Sequence, residues 1–253
     1  MKRFWMVCLF YLCLFLVWAL LARLKVWPEY IFPPPWEVGE KLARGLANKT
    51  FMIGAVTSLR RIFIGYAFSA AVGITVGMFL GRSAILDETL GSLVSALHTI
   101  PSICWLPLAI LWFGLSENTI IFVVIMGAVF SIIIAARGGV RNIPPIYVRA
   151  GKNMGARGFQ LFTEIMAPAS FPAIVAGLRQ GWSFAWRALM AAELIMVNLG
   201  LGHLLMMGRE LNDLAQVIAV MLVLMLIGLV VEKLIFLRLD KSIGERWGLS
   251  GRQ

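Results

Sequence analysis

Uninterrupted apolar stretches dominate the chain and predict its architecture. Five of them contain no charged residue over 18 to 28 positions, namely 4–22, 62–81, 89–116, 118–136 and 214–231. As a helix, each stretch is long enough to cross the roughly 30 Å hydrocarbon core of a bilayer. A transmembrane barrel would instead show segments of about ten residues that alternate apolar and polar positions, and this chain has none. The pattern therefore predicts membrane-spanning helices.

A sixth span is predicted at 172–195, where three charged residues interrupt a largely apolar run. The predicted helices cover about 4–24, 55–81, 90–113, 117–137, 172–195 and 213–237. Composition supports them, because 60% of the 253 residues are hydrophobic and only 14% are charged, too few charges for a soluble globule. The connections are too short for a second core. We predict an all-α, polytopic membrane helix bundle with about six transmembrane helices.

Charge gives a modest indication of orientation. The chain has 23 Lys and Arg against 13 Asp and Glu, a net charge of +10. In a membrane protein, such an excess indicates the orientation of the chain in the membrane, binding to anionic lipid or binding to an acidic partner. The basic residues are scattered among loops, so nucleic acid is a poor candidate partner. With the N-terminus inside, 14 Lys and Arg lie on the inner side and 8 on the outer side. Seven basic residues between Arg23 and Arg61 form an external stretch that mildly favours an anionic solute.

The N-terminal stretch and the cysteines exclude two other interpretations. Residues 4–22 exceed the usual apolar core of a signal peptide, so we interpret them as a retained helix. The three cysteines lie in apolar stretches without metal-ligand spacing, and we expect packed side chains and no metal site.

Local patterns add detail to the bundle. Three consecutive prolines at 33–35 end the first helix, and Trp36 to Leu46 has the spacing of an amphipathic helix at the outer interface. Glycines at 73, 77 and 81 form a ridge that permits close helix packing, either within one subunit or between subunits. Pro101 and Pro107 are expected to bend the third span, which serves a gate or only shapes the bundle.

The segment 137–172 is polar and strongly basic. It holds five Lys or Arg up to residue 157, and Glu164 is its one acidic residue. Gly155 and Gly158 are expected to separate short helices, because glycine permits sharp changes of direction. Helices this short cannot bury an apolar face alone. They must rest on their own bundle or dock in the groove of a partner.

This segment also carries a spaced motif. Arg149-Ala150-Gly151 is followed after three residues by Gly155, after nine more by Ile165, and after one more by Ala167-Pro168. The spacing resembles the EAA loop of binding-protein-dependent ABC importer permeases, E-A-A-x3-G-x9-I-x-L-P. Arg149 replaces the acidic residue, Gly151 the second alanine and Ala167 the leucine. We call residues 138–171 the EAA-like loop.

The resemblance extends along most of the chain, and the chain is similar to the nitrate, sulfonate, taurine and bicarbonate branch of that family. It is carried by 32–38, 58–61, 100–101, 105–108, 112–114, 177–179, 192–193 and 200–202. It implies a type I ABC importer permease-like fold in the bacterial cytoplasmic (inner) membrane, with a cytoplasmic coupling loop and cytoplasmic termini. Residues 1–253 would form one transmembrane permease domain: 1–54 with the first span and external segment, 55–237 as the core bundle, and 238–253 as a cytoplasmic tail.

The resemblance also implies partners and roles. A second copy of the permease, two nucleotide-binding ATPase subunits, an extracytoplasmic solute-binding protein and the lipid bilayer are the expected partners, and an anion such as nitrate, sulfonate, taurine or bicarbonate is the expected solute. Coupling to the ATPase subunit is assigned to Arg149, Ala150, Gly151, Gly155, Ala156, Ile165 and Pro168. The sequence contains no G-x-x-x-x-G-K-[ST], so we expect no cofactor or catalytic site on this chain, and ATP and Mg on the partner ATPase subunit.

Two charged residues of the fifth span are candidates for the translocation path or a gate, together with Pro101 and Pro107. Arg187 and Glu193 lie six residues apart, about 120° around the helix and 9 Å along it, so they are poor partners for each other. Arg187 either lines an anion path or clamps backbone carbonyls, and Glu193 serves a gate or the path. We interpret His98 as a packing residue and not as a proton relay.

Two rival functions remain open at this point. An ion-coupled secondary transporter fits the spans, although it has no evident need for the EAA-like loop. An intramembrane serine protease would use Ser183 within Gly181–Ala185 and His203 as the base. The place of His203 in a glycine-rich external connection argues against that enzyme.

Overall fold

The computed structural model describes residues 2–25, 27–28, 30–196 and 198–246, and every regular element in this part of the chain is helical. In chain order these are α1 (Lys2–Arg23), α2 (Pro35–Ala47), α3 (Thr50–Arg82), α4 (Ala84–His98), α5 (Leu106–Phe113), α6 (Glu117–Arg141), α7 (Pro145–Asn153), α8 (Gly158–Leu161), α9 (Ala167–Ile195), α10 (Leu201–Glu210), α11 (Leu214–Val231) and α12 (Leu237–Arg246). A 3₁₀ turn covers Ser102–Trp105, and π-helical turns cover Phe162–Met166 and Glu232–Phe236.

The described helices confirm the all-α membrane architecture. Five helical segments are long and apolar enough to cross a bilayer: Trp5–Arg23, Thr50–Arg82, Glu117–Arg141, Gly158–Ile195 and Leu214–Ser242. The pair Ala84–His98 and Ser102–Phe113 makes a sixth candidate and is bent by 98°. The predicted third span, 90–113, is therefore not one helix. Pro101 stands at the break, whereas Pro107 lies in the first turn of α5, where a missing N–H leaves no helical hydrogen bond unmade.

The chain divides into two compact units, and the first comprises residues 1–58 and 197–229. Helix α2 covers the amphipathic segment predicted at 36–46, and its Lys41 forms an ion pair with Asp213. The Trp18 indole donates a hydrogen bond to the carbonyl of Pro33 at 3.1 Å, and the Leu201 amide donates to the Ser58 hydroxyl at 2.9 Å. No described side chain of α1 is buried, so that helix presents its apolar surface to its surroundings.

The second unit comprises residues 59–196 and 230–253, and α6 contributes many of its buried residues. Helix α3 meets α6 through a ridge of small residues at every fourth position: Gly65, Ser69, Gly73, Gly77 and Gly81. A Cβ atom at Gly73 would lie 2.8 Å from the side chain of Ile132, and one at Gly81 would lie 2.7 Å from Cβ of Val140. The ridge therefore packs within the chain, which confirms that alternative for Gly73, Gly77 and Gly81.

Helix α9 packs on α6 by the same principle. A Cβ atom at Gly181 would lie 2.7 Å from Ile132, and Gly127 of α6 would meet the side chain of Ala188 at the same distance. Gly177 faces Ala135 still more closely. Small residues at such crossings let backbones approach and pack without a gap. Helix α6 is thus held closely by α3 and by α9.

The bent pair α4–α5 follows the whole length of α6. At the C-terminal end of α6, Arg137 and Arg141 form ion pairs with Asp87 in the first turn of α4. At its N-terminal end, Phe122 packs against Trp112 of α5, with ring centroids 5.7 Å apart. The bent pair therefore runs between the two ends of α6, as a single span would, although its axis is broken.

Candidate coupling loop and translocation cavity

The EAA-like loop folds as a short helix, a glycine turn and a π-helical turn that leads into α9. Helix α7 ends at Asn153, and Gly155 has φ +93°, in the left-handed region that side chains of other residues rarely adopt. The Gly155 amide donates to the carbonyl of Lys152 and the Ala156 amide to that of Gly151, both at 3.0 Å. Gly158 has φ +55° at the start of α8. The turn predicted at Gly155 and Gly158 is thus present.

Part of the motif packs the loop against itself. Gly151 is buried in the face of α7 that meets the π-helical turn. A Cβ atom at this position would meet Ile165 and would lie 3.0 Å from Leu161. Ala156 is also buried, at 7% exposure. Gly151 therefore lets α7 pack closely on the π-helical turn that precedes α9, because a larger residue at position 151 would clash with Ile165.

The remaining motif positions face outward among exposed apolar side chains. Arg149, Ala150 and Pro168 are exposed. Around them lie four large apolar side chains that are more than half exposed, Ile146, Tyr147, Met154 and Phe159. An exposed apolar cluster on a short helix between two spans is typical of a protein-binding surface.

The bend between α4 and α5 opens a cavity of about 280 Å³. It is lined by His98, Thr99, Ile100, Pro101, Ser102, Met126, Gly127, Phe130, Phe184 and Arg187. The structure thus brings together two of the predicted path residues, Pro101 and Arg187. The bend creates the space because α4 and α5 separate where Ile100 and Pro101 interrupt the helix. Pro107 and Glu193 are not among the lining residues.

Arg187 presents its charge to this cavity. Its Nε donates a hydrogen bond to the carbonyl of Ser183 at 3.1 Å, and its guanidinium lies 4.9 Å from the ring centroid of Phe184. His98 packs edge-on against the same ring, with centroids 5.8 Å apart, in agreement with a packing role. The arginine therefore makes one hydrogen bond to the backbone of its own helix, and its side chain, which is exposed, borders the cavity.

Glu193 takes part in a buried ion pair and does not line this cavity. It is fully buried, and its Oε1 accepts a hydrogen bond from Nη1 of Arg61 at 2.8 Å. Nη2 of Arg61 reaches Oε1 of Glu117 at 3.2 Å, and Arg60 pairs with the other oxygen of Glu117. Arg61, counted as an external charge from the sequence, is only 2% exposed. This network joins α3, α6 and α9, and its Arg61–Glu193 pair is buried, whereas Arg60 and Glu117 are about half exposed. Glu193 borders no described cavity.

Four of the seven basic residues in the predicted external stretch form ion pairs with carboxylates. Arg61 and Arg60 pair with Glu193 and Glu117, and Lys41 and Arg44 pair with Asp213 and Glu40. That stretch therefore gives little support for an anionic solute. Arg187, by contrast, forms no ion pair with a carboxylate in the described part of the chain.

Asp87 is a second site that the sequence reasoning missed. Its side chain is 4% exposed and pairs with Arg137 and Arg141, the last basic residues of α6 before the EAA-like loop. Arg137 also donates to the carbonyl of Gly91 at 3.1 Å. The sequence signal that could have indicated this site was the position of Asp87, a carboxylate in the first turn of a helix. These contacts fix the start of the bent pair to the end of the helix that leads into the loop.

Neither rival function gains support from the site. The Ser183 hydroxyl donates to the carbonyl of Arg179 at 3.3 Å, a bond within its own helix turn. Among the residues that the structure describes, no group of three His, Cys, Asp or Glu is placed to hold a metal ion. A helix bundle with a broken span, a cavity bordered by an arginine and an exposed apolar loop between two spans is the architecture of a polytopic membrane protein.

Comparison with known proteins identifies the family. Residues 73–243 match the family model described as "Binding-protein-dependent transport system inner membrane component". The chain is similar to a putative ABC transporter permease protein of Methanocaldococcus jannaschii, 34% identical over 189 residues that cover 74% of this chain and 71% of the relative. It is 29% identical to the taurine transport system permease protein TauC of Escherichia coli K12, over 85% of this chain and 80% of the relative. It is also 29% identical to the nitrate import permease protein NrtB of Synechocystis, over 76% and 70%.

The chain belongs to the family of binding-protein-dependent ABC transporter permeases. Its helical fold is the type I ABC importer permease fold, and its relatives include members of the nitrate and taurine branch. It is a multi-pass membrane protein and a transport subunit. The family does not favour the ion-coupled carrier or the intramembrane protease.

Proposed function

We propose that this permease subunit forms the translocation path for a small anion in an ATP-driven importer. The position of Arg187 is the observation that supports an anionic solute. It lies inside a spanning helix and borders a cavity, and no described carboxylate neutralises it. An unpaired charge in a span costs about 2.5–3.5 kcal/mol on insertion scales, so its retention implies a polar function. Nitrate, sulfonate, taurine and bicarbonate are the candidate solutes, and Pro101 shapes the path at the bend.

The energy source lies outside this chain. Two copies of the permease would surround one path, with two ATPase subunits that bind ATP and Mg on the cytoplasmic side and a solute-binding protein on the other side. The sequence has no phosphate-binding loop, and the exposed apolar residues of the EAA-like loop supply a docking surface. ATPase closure would then move the docked loops and rock the attached helices.

This arrangement also sets the orientation that we propose. The EAA-like loop lies between α6 and α9, so a cytoplasmic loop places the ends of α3 and α6 near Arg82 and Arg141 on the cytoplasmic side. With six spans over residues 1–253, acting as one permease domain, both termini are cytoplasmic in the inner membrane. The fourteen inner Lys and Arg agree with this orientation.

The test is uptake by the assembled importer in proteoliposomes. With the ATPase subunit and the binding protein, labelled anion should enter the vesicles only when ATP is supplied. With the permease chain alone, neither an ion gradient nor ATP should drive uptake. Gradient-driven uptake by the chain alone would refute the proposal.

A further inference from the structure

The cavity at the bend has a cationic side and an apolar side. Arg187 supplies the positive charge, and Met126, Phe130 and Phe184 supply an apolar wall. Its volume of about 280 Å³ is several times the ~30 Å³ that one water molecule occupies in the liquid. A bare inorganic oxoanion would leave much of this space, and the apolar wall, without a partner.

Two contacts within its own helix constrain the guanidinium of Arg187. Nε donates a hydrogen bond to the carbonyl of Ser183 at 3.1 Å, and Cζ lies 4.9 Å from the centroid of the Phe184 ring. No hydrogen bond or ion pair joins its terminal nitrogens to any group in the part of the chain that the structure describes. The two terminal nitrogens thus form a preoriented fork, the geometry with which arginine binds two oxygens of a carboxylate, sulfonate or phosphate.

The other polar groups of the cavity are small and carry no formal negative charge. Thr99 and Ser102 contribute hydroxyls and His98 an imidazole, and no Asp or Glu lines the cavity. An ammonium group on the ligand would meet Arg187 and no compensating carboxylate. A short hydrocarbon body would instead remove apolar surface from water against Met126, Phe130 and Phe184.

We infer that this cavity is a subsite for an organic monoanion with a short, uncharged apolar body, of the alkanesulfonate kind. Its oxygens bind the terminal nitrogens of Arg187, and its carbon chain lies along the apolar wall. A bare inorganic anion and an amino-substituted sulfonate fit less well, the first because it leaves the wall empty and the second because its ammonium is unpaired. The inference rests on the proposed function and specifies the solute at the same site.

The test is equilibrium binding of labelled ethanesulfonate to the permease–ATPase complex in nanodiscs, without binding protein or nucleotide. Unlabelled nitrate and taurine serve as competitors. Arg187→Gln removes the charge, and Arg187→Lys keeps the charge but loses the fork. The matched control is Arg209→Gln in α10, an exposed arginine whose Nη1 lies 3.8 Å from the sulfur of Met206. Yield and melting temperature are measured for every variant.

We expect saturable ethanesulfonate binding, with nitrate and taurine competing roughly tenfold less well. Arg187→Gln should raise the Kd by roughly tenfold or more, Arg187→Lys should lie between it and the native chain, and Arg209→Gln should have no effect. Should Arg187→Gln fail to assemble, Arg187→Lys decides. Equal competition by nitrate or taurine, unchanged binding in the Arg187 variants, or no saturable binding would each overturn the inference.

The proposed function is judged by a separate measurement. If proteoliposomes take up anions with ATP while ethanesulfonate shows no preference, the subsite assignment fails and the importer stands. If ethanesulfonate binds as expected but no ATP-driven uptake occurs in the full assembly, the proposed function fails and the cavity remains an anion site.

Discussion

The buried pair between Arg61 and Glu193 gives the sharpest stability prediction. Arg61 is 2% exposed and Glu193 0%, and their atoms are 2.8 Å apart. Removing one partner of such a pair leaves a charge in a dry site and costs about 3–5 kcal/mol. For a chain of this size that corresponds to a fall in melting temperature on the order of 10 °C. Glu193→Gln should therefore destabilise the purified chain strongly.

The network also predicts which partner matters more. Arg61 contacts a second carboxylate, Glu117, so it keeps a negative neighbour in Glu193→Gln. Arg61→Gln removes two contacts, with Glu193 and with Glu117, whereas Glu193→Gln removes one. We expect Arg61→Gln to be the less stable variant. The double variant Arg61→Met with Glu193→Leu should recover most of the loss, because apolar pairs of similar size often replace buried ion pairs without cost.

The assay is thermal unfolding in one detergent, with Glu40→Gln as the matched control. Glu40 pairs with Arg44 one helix turn away, and both side chains are more than half exposed, so this pair contributes only about 0.3–0.5 kcal/mol. A Glu193→Gln loss within about 1 kcal/mol of the control would refute the reasoning. So would a double variant that is less stable than both single variants.

Three further predictions follow from the loop, the cavity and the helix ridge. Gly155→Val should destabilise the loop by about 1–2 kcal/mol because Gly155 has φ +93°. ATPase co-purification and transport should therefore fall, while membrane insertion persists. Normal co-purification together with normal transport would remove the assigned role of Gly155 in coupling. Arg187→Gln should lower anion uptake but not ATP hydrolysis by the assembled complex, compared with Arg209→Gln; a parallel loss of yield and melting temperature would indicate a clamp instead. Gly77→Leu should destabilise the chain by about 1–3 kcal/mol or more, because its Cβ would lie 2.7 Å from Cβ of Ala136. Gly39→Leu is the control, since a Cβ at Gly39 meets open space. Equal melting temperatures for these two variants would contradict the packing.

The spans and the loop turn could be predicted because their causes are local. The length of an apolar stretch can be compared directly with the thickness of the bilayer. Gly155 and Gly158 adopt a positive φ, and glycine is the residue type that does so freely. The bend was also predicted from its prolines, but only Pro101 marks the break. Proline is disruptive within a helix and acceptable in its first turn, and the sequence does not show that a new helix begins at Leu106.

The charge networks could not be predicted because their partners are distant in sequence. Arg61 and Glu193 are 132 residues apart, and Arg61 and Glu117 are 56 apart. Whether two such residues meet depends on which spans are neighbours and how each is rotated, and a single sequence specifies neither. The same limit explains why Glu193 was expected near a path, while its partner Arg61 was counted among surface charges.

The ridge of α3 restricts how this bundle can move. Gly65, Gly73 and Gly77 belong to the ridge of small residues at every fourth position, and at each of them a neighbouring atom of α6 leaves no room for a Cβ. A slide of α3 by one residue, about 1.5 Å, would bring side-chain-bearing positions into these notches. Helix α9 meets α6 through a similar series, so axial slippage is blocked on both sides. This packing therefore opposes axial sliding of α3 and α9 along α6, and the broken span α4–α5 offers a different place for the bundle to deform.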